Sequence, residues 1–84
     1  MHEFMPLNDG TEITHSDVQN DNSVLVHFEK PDVYKGFRYM TISLPSYEIC
    51  ENESFSASSV RYLVDYVRPL AHVIIECAMQ GGAF

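Results

Sequence analysis

Two histidines, His15 and His27, are the pair in this chain whose type and spacing come nearest to a binding site. If Gln19–Ser23 is a five-residue loop between antiparallel strands, Val18 faces Val24, Ser16 faces Val26 and His15 faces His27. Side chains opposite one another lie about 5 Å apart at Cβ, within reach of one ion for two imidazoles. Asp17 falls on the same sheet face, as does Glu29. Two histidines and a carboxylate form a ligand set for a divalent metal. The sequence therefore offers His15, His27 and Asp17 as a metal or small-ligand site. The plainer reading is two solvated histidines on a polar sheet face.

No other constellation supports a reaction. A Cys–His nucleophile needs a thiolate made by a nearby base, and His72 is five residues before Cys77, on a different side of a helix. Ser54, Ser58 and Ser59 lack the pattern of a nucleophile elbow. Gly81-Gly82 follows a helix and does not open one, the wrong end for an anion. Glu51 and Glu53 read as solvated loop carboxylates. The expectation is a protein without catalytic residues and without a resident cofactor.

The aromatic residues carry a different chemistry. Tyr62 and Tyr66 are four apart on a flank of a helix, and Val73 continues that flank. Phe37 and Tyr39 begin a strand on the sheet face away from that helix. Aromatic groups left over after the core is filled mark an interface. Tyr62, Tyr66, Val73, Phe37 and Tyr39 are thus the expected contact residues, with a second copy of the chain as the first expected partner and another protein as the next.

Charge narrows the partners. Twelve Asp and Glu oppose five Lys and Arg, a formal net charge of −7. Nucleic-acid affinity comes largely from basic groups neutralising phosphates, so a nucleic-acid partner is not expected. An anionic membrane surface is disfavoured for the same reason. No apolar run is long enough to span a bilayer, and no charged leader with an apolar core opens the sequence. With two cysteines and no disulfide framework, the reading is a cytoplasmic protein with free thiols, both packed inside.

The elements that position these residues follow from periodicity and turn chemistry. Asp9-Gly10 supplies a tight hairpin turn. Pro6 marks an edge strand, because it has no N–H for a ladder. Strands are expected at about 4–7, 12–18, 24–30 and 37–44. In that register Met5, Leu7, Val18, Val24, Val26, Phe28, Met40, Ile42 and Leu44 share one apolar face. Residues 46–56 read as a polar crossing. Val60, Leu63, Val64, Val67, Ala71, Ile74, Ile75 and Ala78 recur at three- and four-residue steps, which predicts a helix over about 57–80, capped by Ser56 and kinked at Pro69.

The chain thus reads as one small α+β domain: a four-stranded antiparallel β-meander with one C-terminal, Pro-kinked α-helix packed on one face. Many unrelated small bacterial proteins share such an architecture, and fold alone does not assign function. The expected role is a small acidic interaction module, homodimeric and of the adaptor, inhibitor or antitoxin-like kind. The alternative is a metal- or small-ligand-binding protein using His15 and His27.

Overall fold

A computed structural model describes residues 2–32, 34 and 36–80. The predicted Gly81-Gly82 stop and the apolar Phe84 lie outside the described residues. Five strands form one antiparallel sheet in chain order: β1 (His2–Pro6), β2 (Glu12–His15), β3 (Val24–Asp32), β4 (Gly36–Leu44) and β5 (Glu48–Glu53). Two helical segments follow, α1 (Ala57–Val67) and α2 (Ala71–Met79), joined by a 3-10 turn over Arg68–Leu70 that contains Pro69.

The alternation expected of β3 and β4 is present. Val24, Val26 and Phe28 point inward beside Met40, Ile42 and Leu44, all at most 1% exposed. Leu63, Val67, Ile74 and Ala78 of the helical segments close the same core. Met5, Leu7, Val60, Val64, Ala71 and Ile75 pack against its rim. One sheet face is roofed by helix, and the other is left to solvent.

The meander has five strands, not four. The polar crossing contains β5, paired with β4 from Tyr39↔Glu53 to Ser43↔Glu48. All six of its residues are exposed, so no alternation of buried groups announces it. Main-chain pairing holds it in place, with a bulge near Cys50. Cys50 is therefore exposed, contrary to the expectation that both thiols are interior; Cys77 is buried. Beyond β5, Asn52 clamps the turn by donating to the Phe55 carbonyl and accepting from its N–H, both at 3.2 Å. That clamp drives Phe55 into the core at 8% exposure.

The register of β2 also differs, for two local reasons. The first hairpin closes through Leu7 N–H to Thr11 O at 2.7 Å, so its loop is Asn8-Asp9-Gly10, with Gly10 at φ 91°. A two-residue Asp9-Gly10 loop would pair Leu7 with Glu12 and Met5 with Thr14; with the longer loop Leu7 faces Thr11 and Met5 faces Ile13. At the other end Gln19 and Ser23 close the second loop, with Asn22 at φ 67°. Before the pairing reaches β2 it slips by one residue. The Ser16 hydroxyl accepts the Leu25 N–H at 2.9 Å, and Ser16 N–H donates to Leu25 O. His15 consequently faces Val26, and Thr14 faces His27. A one-residue slip moves each side chain to the opposite face. Ile13 and His15 thus turn inward at 1% exposure, while Val18 lies beyond the strand at 37%.

Helix α1 begins where its capping chemistry predicts. Ser56 has extended backbone (φ −70°, ψ 162°), and its side chain accepts the Ser59 N–H. The polar stripe Arg61, Asp65, Arg68, His72 and Glu76 is exposed. Its ion pair is Arg68–Asp65 at 3.4 Å. The Arg68 guanidinium also lies 4.7 Å from the centre of the Tyr47 ring, tying the helical segment to the turn before β5.

Candidate functional site

The slip at Ser16 decides the fate of the histidine pair. His15 points into the helix-covered side, and its Nδ1 is 2.9 Å from the Ser16 carbonyl. His27 points out on the opposite face, with Nδ1 2.9 Å from the Thr41 hydroxyl and Nε2 3.7 Å from Glu29. The cross-strand pair that the metal reading requires is not formed. Asp17 joins neither imidazole of that pair. Its carboxylate takes His2 Nε2 at 2.7 Å, and the His2 ring stands 5.4 Å from that of His15. Among the described residues no group of three His, Cys, Asp or Glu is arranged to hold a metal ion. His2 had no signal in the sequence, because nothing there extends β1 back to residue 2.

The expected contact residues fall on two separate surfaces. Tyr62 and Tyr66 lie on α1 with ring centres 6.4 Å apart. Tyr62 is 61% exposed, and the Tyr66 hydroxyl donates to the Met5 sulfur at 3.8 Å. These rings and the run Met5–Asp9 line a groove of about 320 Å³ between α1 and the first hairpin. Val73, half-buried, is on α2. Phe37 and Tyr39 lie on the outer sheet face, Phe37 53% exposed and Tyr39 with its ring 6.0 Å from that of His27.

That outer face has a regular layout. Register places Glu12, Glu29, Tyr39 and Glu53 in one cross-strand row. Thr14, His27, Thr41 and Glu51 make the next row, and Leu25, Ser43 and Glu48 continue the third. Glu51 and Glu53 raise the Tyr39 phenol above its ordinary range, first through the charge of Glu51. The four described Lys and Arg are placed elsewhere. Lys30 pairs with Asp9 at 3.4 Å, Arg38 with Asp32 at 2.6 Å, Arg68 with Asp65, and Arg61 is on the helix. At one end of the face Gly10, Glu12, Glu29, Pro31 and Phe37 surround a pocket of about 290 Å³.

Loop carboxylates are held by local bonds. Asp9 lies below the usual carboxylate range, chiefly because it accepts the Thr11 N–H, with the Thr11 side chain and the Lys30 charge adding to this. Asp21 is lowered by the Ser23 hydroxyl and then by the Ser23 N–H. Both shifts belong to turn formation. No helix among the described residues is long and apolar enough to cross a membrane.

No protein-family model, curated protein or solved structure matches this chain.

Proposed function

We propose that this protein is a small acidic interaction module without a catalytic role, which pairs with a second copy of itself and binds another protein, as a cytoplasmic adaptor, inhibitor or antitoxin-like partner does. The observation that carries this reading is the presence of exposed aromatic groups on two surfaces, Tyr62 on one and Phe37 on the other, besides Tyr34 in the β3–β4 turn. The α1 flank presents Tyr62 above the groove shared with the first hairpin, and the outer sheet face presents Phe37, with the half-buried Tyr39 beside it. Self-association uses the flank of Tyr62, Tyr66 and Val73. Val73 follows Tyr66 by seven residues, two helical turns on, which is the spacing of one flank if the helical phase runs on through the 3-10 turn at Pro69. The outer sheet face is left for the partner protein.

An 84-residue domain has a thin stability margin, and burying such a flank in a dimer adds to it. Sedimentation velocity between about 1 and 100 µM tests the reading, since association responds to concentration by mass action. A dimer is expected at the upper end, and Tyr62→Ala should weaken it about tenfold, the effect of losing an aromatic anchor. A protein that stays monomeric across that range removes self-association from the reading.

A further inference from the structure

We propose that the pocket framed by Glu12, Glu29, Pro31 and Phe37 receives a lysine or arginine side chain of the partner protein. The proposal rests on the interaction-module reading and names the partner's chemistry.

Three observations converge on it. First, Glu12 and Glu29 are cross-strand neighbours in the β2–β3 ladder. Like charges directly opposite one another destabilise a sheet. Among the described residues, the basic group within 4.0 Å of either carboxylate is His27, 3.7 Å from Glu29; Lys30, next along the strand, is paired with Asp9. Second, the other walls are apolar. The Phe37 ring is 53% exposed, and Pro31 is its cross-strand partner. An aromatic face beside two carboxylates suits a cation on an aliphatic stem, which a bare metal ion does not possess. Third, the field extends beyond the pocket. Glu53 ends the same row, and Glu51 and Glu48 follow on β5, so a segment with several positive charges meets carboxylates along the whole face.

Charge complementarity favours a basic partner over a second copy as the occupant of this face. Face to face, a partner copy would set the same row of glutamates against this one, a repulsion that the α1 flank does not carry. The occupant is a basic segment of a different protein, steered in by the field and seated by one side chain between Glu12 and Glu29.

The test is a titration of the full chain, labelled with ¹⁵N, with hexalysine, followed by backbone amide shifts. Shifts centred on Gly10, Glu12, Glu29 and Phe37 are expected, with hexaglutamate giving none. Glu12→Gln and Phe37→Ala should each weaken binding about three- to fivefold, as loss of one exposed charge pair or one cation–π contact does. Glu48→Gln, on the same face but away from the pocket, should change it by less than about twofold. A loss from Glu48→Gln equal to that from Glu12→Gln would mean a diffuse field with no pocket, and overturns the proposal. So would absent shifts at these amides, or Ca²⁺ moving the same amides at lower concentration than hexalysine. The two readings part cleanly. A dimer that ignores hexalysine removes the pocket alone, and a monomer that binds hexalysine at these amides keeps the pocket and removes the dimer.

Discussion

Asp9 shows how one side chain ties charge to folding. Its carboxylate accepts the Thr11 N–H at 3.0 Å and lies 3.4 Å from the Lys30 ammonium on β3. Both favour the ionised form, so its pKa is lower folded than unfolded. The sign follows from linkage. The contribution is fully present above the unfolded value, near 3.9, and is lost as pH falls through the lowered folded value. Asp9→Ala should therefore flatten the acid limb of stability below about pH 4 while lowering stability at neutral pH, read by urea melts at several pH values. An unchanged acid limb would detach Asp9 from it. The Asp9-Gly10 signal was legible in the sequence as a turn. What it left open was loop length, and that one residue decides whether Ile13 or Thr14 faces the core. The orientation of His15 was illegible for a similar reason. It depends on the Ser16 hydroxyl replacing a main-chain acceptor, and no pattern of residue types records that choice.

Elements were legible in proportion to how strongly their burial alternates. β3 buries every second residue from Val24 to Phe28 and β4 from Met40 to Leu44, and the helical segments bury Leu63, Val67, Ile74 and Ala78 at helical spacing, so periodicity exposes them. β5 buries none, and its sequence Glu48-Ile49-Cys50-Glu51-Asn52-Glu53 resembles a loop. Its three glutamates suit an edge strand, where charge discourages pairing with another chain. The start of α1 was legible because capping is a local bond. No acidic residue occupies the first turn of α1, so the Ser56 side chain is the main compensation for its free N–H groups. Ser56→Ala should cost about 1 kcal/mol, which for a domain this small lowers Tm by roughly 4–8 °C. Ser56→Asp should restore the loss, because a carboxylate caps the same N–H and complements the helix dipole. An Ala variant that melts with the parent would show that Ser58 or Ser59, whose hydroxyls lie 3.2 and 3.0 Å from that of Ser56, takes over the cap.

At the scale of the whole molecule, the governing quantity is a charge of −7 on a body of 37 × 22 × 22 Å. At about 10 mM salt the screening length is roughly 30 Å, so carboxylates across the domain repel one another; at about 150 mM it is roughly 8 Å, and only neighbours remain coupled. Tm should accordingly rise with sodium chloride over that interval, as self-repulsion of the compact state is screened. Glu12→Gln should raise Tm already at low salt and make the salt response shallower, since it removes one member of the directly opposed Glu12–Glu29 pair. Such a pair costs about 0.2–1 kcal/mol, or roughly 1–8 °C here. Glu76→Gln, on the exposed side of α2, also reduces net charge by one but belongs to no cross-strand pair, and should shift Tm less. A stabilising Glu12→Gln that also loses affinity for hexalysine would show stability given up for recognition on one sheet face. Equal shifts from Glu12→Gln and Glu76→Gln would instead make the repulsion a property of total charge, with no particular cost at the pocket.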